Sequence, residues 1–150
     1  MEVKLIEDKN SPLRIEIYYP VMNSRVNQLV EAIKSVEVKI IGSDDGKETY
    51  LNVQDIYYIE SLERKTFIYT KDRVLRTSKK LYQLAEELKE FGFLQANKGC
   101  LLNVNVLKHV RVLFNSRLEA TLINDEKLII TRTYIPAIKE WLERETSDEE

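Results

Sequence analysis

The amino-acid sequence predicts a mainly β protein of the α+β class, in which short antiparallel strands carry a small number of helices. From residue 36 onward, apolar and polar residues mostly alternate, which is the period of a half-buried strand. Turn signals such as Asp45-Gly46, Asn115-Ser116 and Asn124-Asp125 separate these alternating runs. A chain of 150 residues has room for one domain with a real core and a small appended element.

The first 35 residues are predicted to form an appended strand-helix element. The run "RIEIYY" alternates in polarity before Pro20, so we expect one or two strands within residues 1 to 20. The run "NSRVNQLVEAIKS" then has helical spacing, with Asn23 or Ser24 available as the N-cap. The helix carries an apolar stripe made of Val26, Leu29, Val30 and Ile33.

An apolar stripe must be buried, and the sequence leaves two ways to do so. Residues 13 to 35 could mediate self-association into a homodimer, since the preceding strand adds an apolar face of its own in Leu13, Ile15, Ile17 and Tyr19. The alternative is that the stripe packs on the β domain of its own chain. We predict the first arrangement, in which residues 1–35 form an element separate from the main domain.

Residues 36–145 form the predicted main domain. Alternating runs predict strands at "VEVKIIG", "ETYLNV", "DIYYIES", "TFIYT" and "RVLRTS". A middle helix is expected in "SKKLYQLAEELKE", capped by Ser78 and ended by Gly92. A meander of "LKHVRVLF", "RLEATLI" and "KLIIT" follows, and an amphipathic helix with Pro136 in its first turn closes the domain. The acidic tail, residues 146–150, should be frayed.

Composition argues against several classes of function. The single cysteine, Cys100, cannot form an internal disulfide, and one histidine, His109, is too few for a metal site of the usual His/Cys spacing. The stretch "GSDDGKE" lacks the spacing of a phosphate-binding loop and the ligand pattern of a calcium loop, so it is predicted to be a hairpin turn. We therefore expect no metal, no cofactor, no catalytic residue and no enzyme activity.

Charge is strongly segregated along the chain, although the net charge is only −2. Residues 37–63 contain seven acids and two bases, whereas residues 64–80 contain seven bases and one acid. Residues 94–118 contain four cations and no carboxylate, namely Lys98, Lys108, Arg111 and Arg117. If the two basic segments form one positive face, that face would suit the phosphates of double-stranded DNA. The alternative is a β-rich interaction module that binds protein or an acidic ligand.

Three motifs in order resemble the LytTR-type DNA-binding domain of bacterial transcription regulators. They are "VQDIYYIES", then "FLQANKGCLLN" after the middle helix, and finally "LIITRTY" before the closing helix. The resemblance covers about residues 36 to 145. It implies a mostly β domain that inserts loops, rather than a recognition helix, into successive major grooves at repeated sites. It also implies a bacterial, cytoplasmic regulator of transcription that acts as a dimer.

Carried over from the family by position, the residues implied to contact DNA lie in three loops. They are Arg64, Lys65 and Thr66 after "IES", Asn97 and Lys98 after the middle helix, and Arg132 and Thr133 before the last helix. Lys79 and Lys80, at the start of the middle helix, would contact at most phosphates. The family's "H-R-S-Y" is "N-K-G-C" here and one frequent arginine is Thr133, so a bidentate grip on guanine is not implied and the DNA target stays open.

The N-terminal 35 residues are too few for the receiver domain that most relatives carry, so the chain is expected to be of the short form without one. The apolar runs are far shorter than a membrane span, and the charged N-terminus lacks the apolar core of a signal peptide. The protein is therefore expected to be soluble and not inserted in a membrane. The sequence does not specify a regulatory protein partner.

Overall fold

The computed structural model describes residues 1–147, in which ten strands form two antiparallel sheets and three α-helices pack around them. Sheet A has the strand order β2-β1-β5-β4-β3-β7-β6, and sheet B has the order β10-β9-β8. The strands are β1 Lys39–Asp44, β2 Lys47–Asn52, β3 Ile56–Leu62, β4 Lys65–Thr70, β5 Val74–Thr77, β6 Phe93–Asn97, β7 Cys100–Asn103, β8 Leu107–Leu113, β9 Arg117–Leu122 and β10 Lys127–Ile130. The helices are α1 Ser24–Ser35, α2 Leu81–Leu88 and α3 Ile135–Ser147. The predicted mainly β fold is confirmed.

The predicted hairpin turns explain why consecutive strands pair. Asp45 and Gly46 both have positive φ angles, 50° and 78°, as do Asn115 and Ser116, at 64° and 58°. Two consecutive left-handed residues make a turn whose twist matches that of the flanking strands. The turn at Asp45-Gly46 and the three-stranded meander of sheet B are therefore as predicted.

The core consists of two apolar clusters that share sheet A. One cluster packs α2 on the sheet, and its members include Ile59, Ile68, Leu75, Leu84 and Leu88. The other packs sheet B and α3 against the sheet, and its members include Tyr58, Leu102, Ala120, Ile130 and Ile138. Adjacent residues of one strand, such as Leu101 and Leu102, join different clusters because successive side chains point to opposite faces. Strands β3 and β7 are consequently buried on both faces.

The boundaries of α2 differ from the prediction at one end. The helix begins after Lys80 rather than at a Ser78 cap, and the backbone N–H of Lys80 donates to the Gln83 side-chain oxygen at 2.8 Å. The chain reverses after the helix at Gly92, which has a φ of 84° and therefore a conformation that glycine adopts without strain. Gly92 ends this helical segment as predicted.

The β6–β7 hairpin is a feature that the sequence pattern did not predict. Strand β6 pairs with β7 from Phe93 opposite Asn103 to Asn97 opposite Cys100. Asn103 is buried; its side-chain N–H donates to the Ile56 carbonyl at 2.8 Å, and its side-chain oxygen accepts from the Asn105 N–H at 3.0 Å. The hairpin was missed because both strands are short and β7 is apolar on both faces, so neither alternates.

The strand predicted within residues 1 to 20 is wrong. Residues 1–22 contain no strand and no helix, and nearly all of their side chains are exposed. The alternating pattern is present, but a lone segment has no neighbour that could accept and donate its backbone hydrogen bonds. The helix that follows is confirmed: Asn23 caps it, and the backbone N–H of Val26 donates to its side-chain oxygen at 3.0 Å.

Helix α1 packs on the β domain of its own chain, which was the alternative to self-association. Val26 is buried, the rest of the predicted stripe is half-buried, and the side chain of Gln54 donates to the Ser35 hydroxyl at 3.0 Å. The helix contacts the turns at residues 53–55 and 89–91. The separation of residues 1–35 from residues 36–145 remains a prediction.

The C-terminal helix α3 begins after Tyr134 with Pro136 in its first turn, as predicted, and extends to Ser147. It therefore covers the first two residues of the segment expected to be frayed, whereas residues 148–150 lie outside the described residues. None of the helices in the described part of the chain is long and apolar enough to cross a lipid bilayer.

Candidate nucleic-acid interface

Several turns come together at one end of the two sheets. Strand β3 ends in a turn at Glu63-Arg64, β6 ends at Lys98-Gly99, β8 ends at residues 114–116, and β10 is followed by residues 131–133. We call this region the loop end and use the name for these four segments. Helix α1 contacts residues 53–55, just before the first residue of β3, and so lies at the other end of sheet A.

A backbone hydrogen bond joins the first two turns. The N–H of Ser61 in β3 donates to the Gly99 carbonyl at 2.8 Å. A Cβ atom added at Gly99 would lie 3.3 Å from the Ser61 carbonyl oxygen, which is a tight contact. The absence of a side chain at Gly99 therefore lets the Lys98-Gly99 turn lie directly beside β3.

Two further hydrogen bonds join the Lys98-Gly99 turn to the segment before α3. The N–H of Thr131 donates to the Ala96 carbonyl at 2.9 Å, and the side-chain N–H of Asn97 donates to the Ile129 carbonyl at 2.9 Å. The Asn97 side-chain oxygen also accepts from the Gly99 N–H at 3.0 Å. Segments far apart in sequence are thus held together around one hairpin.

The residues that the family resemblance implied for DNA binding all lie at or beside the loop end. Five have exposed side chains: Arg64, Lys65, Lys98, Arg132 and Thr133. Lys79 and Lys80 are also exposed and follow β5, whose last residue, Thr77, pairs with Thr66. The structure therefore brings together residues that are up to 69 positions apart, as the numbers of Arg64 and Thr133 show.

Two of the predicted residues have side chains that are engaged inside the protein. Thr66 is only 3% exposed, because alternate residues of β4 point toward the core. Asn97 is half-buried, and both polar groups of its amide are used in the hydrogen bonds described above. The Asn97 side chain is thus engaged in hydrogen bonds and that of Thr66 is buried, while Lys65 and Lys98 beside them are exposed.

The charge distribution of the folded chain differs from the single positive face expected from the sequence. Lys108 pairs with Asp125 at 3.1 Å in the turn at the opposite end of sheet B, and Arg111 pairs with Glu119 at 3.2 Å. Arg73 pairs with Asp44 at 3.4 Å at the far end of β4 from Lys65. Half of the cations in residues 94–118 are therefore neutralised locally, so the two basic segments do not contribute all of their charge to one positive face.

Most cations at the loop end, in contrast, are not neutralised by a neighbouring carboxylate of the described residues. Within the described residues, no ion pair involves Arg64, Lys65, Lys98, Arg117, Arg132 or Lys139. Lys79 is the exception near this end, because its ammonium lies 2.8 Å from the Glu87 carboxylate. Unpaired exposed cations that face one direction leave a positive field, which attracts an anionic partner.

A partly buried polar cluster lies where β3 pairs with β4. The rings of Tyr58 and Tyr69 stack with 4.2 Å between centroids, and the Tyr69 hydroxyl donates to the Glu60 carboxylate at 3.0 Å. Burial, with this hydrogen bond and the Glu60 charge, raises the pKa of Tyr69 to about 12. Burial, with the charge of Glu60, raises the pKa of the Cys100 thiol to about 12. Cys100 is therefore a core residue that stays protonated at neutral pH, and not a reactive thiolate.

Sequence reasoning placed no site residue at the turn of residues 114–116 or in α3, yet both reach the loop end. Arg117 and Lys139 flank the same depression as Arg132. The signal for Arg117 was its position directly after the Asn115-Ser116 turn, but nothing in the sequence indicated which end of sheet B lies beside the Lys98-Gly99 turn. In the described residues there is also no cluster of His, Cys, Asp and Glu that could hold a metal ion.

Comparison with known proteins identifies a matching family and relatives of different lengths. The family model described as LytTr DNA-binding domain matches residues 46–143. The sensory transduction protein LytT of Enterococcus faecalis strain V583 is 27% identical over 110 residues, covering 73% of this chain and 44% of that protein. An HTH-type transcriptional regulator of Staphylococcus aureus strain MSSA476 is 22% identical over 139 residues, covering 91% of this chain and 94% of that protein.

A solved structure has the same fold. The LytTr DNA-binding domain of a Bacillus cereus response regulator superimposes with a TM-score of 0.66 at 15% sequence identity, covering 71% of this chain and 97% of that domain. The chain thus spans less than half the length of the Enterococcus LytT protein but nearly all of the Staphylococcus regulator.

Proposed function

The chain belongs to the LytTR family of DNA-binding domains, and we propose that it is a transcription regulator that recognises specific sequences of double-stranded DNA through its loop end. The observation that carries this proposal is that hydrogen bonds join three turns around the β6–β7 hairpin, and that each turn has an exposed cation that forms no ion pair within the described residues. The matched family is a DNA-binding domain and not an enzyme family, so no catalytic role is proposed.

The turns would enter the major groove, where base edges present distinct patterns of donors and acceptors. Lys98 and Arg132 are exposed on turns that share hydrogen bonds, so both can approach the same stretch of duplex. We propose that these two side chains reach base edges. Arg64, Lys65 and Thr133 lie beside them with exposed side chains and complete the surface. Lys80, at the start of α2, would contact a phosphate.

Asn97 and Thr66 support this surface from within. A side chain whose amide already donates to Ile129 and accepts from Gly99 has little capacity left for a base. We propose that Asn97 positions Lys98, and that Thr66 anchors the strand that presents Lys65. Both residues would then affect DNA binding by holding neighbours in place.

We further propose that the protein binds repeated sites as a homodimer, in which the exposed part of the predicted segment, residues 13–22, provides the contact. In the segment 13–19 the apolar residues are largely exposed, with Leu13 at 93%, Ile15 at 60% and Tyr19 at 47%. Among the described residues, no backbone hydrogen bond joins residues 12–22 to the rest of the chain. A segment of alternating polarity whose backbone groups have no partner among the described residues is suited to pair with a second copy of itself.

This arrangement would place self-association and DNA binding at opposite ends of sheet A. Helix α1, which continues from the exposed segment, contacts the end of sheet A opposite the loop end. Pairing there would leave the DNA-binding turns of both copies free. It would also raise the effective concentration of the second domain at a neighbouring half-site without any new base contact.

The bacterial cytoplasm is the proposed location, because a transcription regulator acts where the chromosome is. We propose no membrane-inserted part for the described residues.

The test is DNA binding measured as a function of salt, using sequences selected from random duplexes. Each neutralised phosphate contributes about −0.9 to the slope of log K against log[salt], so about four contacts give a slope near −4. A variant with Arg64→Ala, Lys98→Ala and Arg132→Ala together should lose most of its affinity. The matched control changes Lys108→Ala and Arg111→Ala, whose charges are already paired within the protein.

The same measurement separates the alternative, a β-rich interaction module that binds protein or an acidic ligand. Such a module would select no duplex sequence from the random pool, and the salt slope with duplex DNA would be near zero. Either result would contradict the proposed function.

A further inference from the structure

A groove with an unusual lining runs between the β8–β9 hairpin and the start of α3. Its volume is about 270 Å³. The floor is apolar and includes Leu118, Ile135 and Pro136. The rim carries three cations, Arg117, Arg132 and Lys139, and the groove is lined by no carboxylate. The groove thus combines an apolar surface with concentrated positive charge.

The cations on the rim are not neutralised by neighbouring acids. Among the described residues, none of the three belongs to an ion pair. The same sheet offers a direct comparison, since Arg111 lies 3.2 Å and Lys127 lies 3.8 Å from one carboxylate, that of Glu119. The cations of sheet B that lie outside the groove are therefore paired with carboxylates of the protein. Those that line the groove can bind an anion from outside.

The groove is continuous with the loop end because Arg132 belongs to both. Thr131, directly before it, donates to the Ala96 carbonyl at 2.9 Å and so ties the groove to the Lys98-Gly99 turn. Ser116, in the β8–β9 turn, lines the groove from the other side. A duplex seated on the loop end would therefore extend past this hairpin.

The backbone of DNA has the chemistry that this lining requires. It alternates phosphates, each with one negative charge, with deoxyribose rings that present apolar C–H groups. Half to two-thirds of protein–DNA hydrogen bonds go to phosphate and sugar, and such contacts set the orientation of the protein without reading sequence. Arg117 and Lys139 can neutralise phosphates while the floor packs on a sugar.

We infer that this groove holds a segment of the DNA sugar–phosphate backbone next to the major groove that the turns enter. Arg117 and Lys139 are assigned to phosphates. Arg132 lines the same groove, but its side chain is assigned to a base edge, as proposed above. This inference rests on the proposed function, and it adds a fourth contact element to the three turns implied by the family resemblance.

The experiment uses the full chain and compares Arg117→Ala and Lys139→Ala with the wild type on the selected duplex. Each substitution should reduce affinity several-fold, equally for the selected sequence and for point variants of it, because phosphates carry no sequence information. Each should also make the salt slope less steep by about 0.9. The charge-preserving variants Arg117→Lys and Lys139→Arg should keep the wild-type slope.

The matched controls are Arg111→Ala and Lys127→Ala, which remove paired cations from the same sheet and should leave the slope unchanged. Thermal unfolding of each variant identifies any loss of affinity that comes from loss of folding. A duplex in which single phosphates are replaced by neutral methylphosphonates gives an independent measurement. Replacement at the contacted phosphate should weaken the wild type but not weaken Arg117→Ala any further.

Three outcomes would overturn the inference. An unchanged slope for Arg117→Ala and Lys139→Ala, while Lys98→Ala still weakens binding, would remove the groove from the interface and leave the proposed function intact. Binding of poly-glutamate is measured for the same proteins. If the wild type binds poly-glutamate and Arg117→Ala and Lys139→Ala lose this binding without losing affinity for DNA, the groove is assigned to acidic peptides instead. If the wild type binds no duplex even at low salt, the proposed function fails, and the inference fails with it.

Discussion

The side-chain N–H of Asn97 donates a hydrogen bond of 2.9 Å to the backbone carbonyl of Ile129, and this contact joins two turns that are 32 residues apart. Ile129 lies in β10, three residues before Arg132. The same amide accepts from the Gly99 N–H at 3.0 Å, so one side chain shapes the Lys98-Gly99 turn and fixes its distance from the segment before α3. The relative placement of Lys98 and Arg132 therefore depends on Asn97.

Replacing Asn97 should disturb DNA binding through this placement. For Asn97→Ala we expect a loss of about 1 to 2 kcal/mol in the free energy of unfolding, because the Ile129 carbonyl and the Gly99 N–H both lose their partner. Affinity for the selected duplex should fall as well. Denaturant unfolding and a DNA titration measure the two effects. Asn27→Ala, which removes an exposed asparagine side chain from α1 at the other end of sheet A, serves as the control for both measurements. If Asn97→Ala keeps both wild-type stability and wild-type affinity, Asn97 does not position the turns.

Lys98 and Arg132 should differ from Lys80 in how they affect specificity. Alanine at a residue that reads a base edge costs about 1 to 3 kcal/mol of binding free energy and relaxes preference at one position of the site. Lys98→Ala and Arg132→Ala are expected to behave in this way. Lys80→Ala should weaken all sequences alike. Repeating the selection from random duplexes with each variant measures this. An unchanged motif and affinity for Lys98→Ala and Arg132→Ala would show that the family's contact positions do not apply to this chain.

Removal of residues 1–22 should abolish self-association without unfolding the domain. These residues are nearly all exposed, whereas α1 contacts the β domain, so the deletion should stop before Asn23, which caps α1. We expect sedimentation to show a monomer, a melting temperature close to that of the intact chain, and loss of the advantage of two half-sites over one.

Two double substitutions test the same segment without deleting it, one on its apolar side chains and one, as the control, on its charged side chains. Leu13→Asp with Ile15→Asp places charges on the apolar face of the segment and should also prevent association. Arg14→Ala with Glu16→Ala changes the other face and should have little effect, since these two side chains are exposed and their 3.8 Å ion pair lies in solvent. A truncated protein that stays dimeric, or an intact protein that is monomeric at high concentration, would rule out self-association through residues 13–22.

Stability should decrease at alkaline pH because the folded chain holds the protons of Cys100 and Tyr69 more tightly than the unfolded chain does. The pKa of Cys100 is raised from 9.0 to about 12, mainly by burial, and the pKa of Tyr69 is raised from 10.0 to about 12. The unfolded chain then releases protons that the folded chain retains. The free energy of unfolding is therefore unaffected below about pH 9 and falls above it, on the order of 1 kcal/mol per pH unit for each proton.

Denaturant unfolding at a series of pH values from about 8 to 11 measures this decrease. Cys100→Ala should be less stable at neutral pH because it leaves a small cavity, but its stability should fall less steeply just above pH 9. Equal slopes for the wild type and Cys100→Ala would mean that the folded state does not hold the thiol proton.

The mainly β class, most of the strands and the three helices could be predicted from local patterns. Period-two alternation, two-residue turns with left-handed conformations and the Asn23 cap are each decided by residues a few positions apart. The patterns failed where a distant partner decides the outcome. The strand expected within residues 1–20 has the right alternation but no neighbour within the chain, and the short β6–β7 hairpin is stabilised by β3 beside it and by the core on both faces.

By itself, the sequence determined the fold class and the family and placed Arg64, Lys98, Arg132 and Thr133 at turns, because these depend on local spacing and on motifs in order along the chain. Only the tertiary structure decided which cations are neutralised by a carboxylate of the protein and which remain available to bind an anion from outside. Lys108 and Arg111 belong to the same basic segment as Lys98 and Arg117, but strand pairing brings Asp125 and Glu119 within 3.2 Å of the first two. The reason is physical: an ion pair depends on distance in space, and strand register, rather than position along the chain, sets that distance.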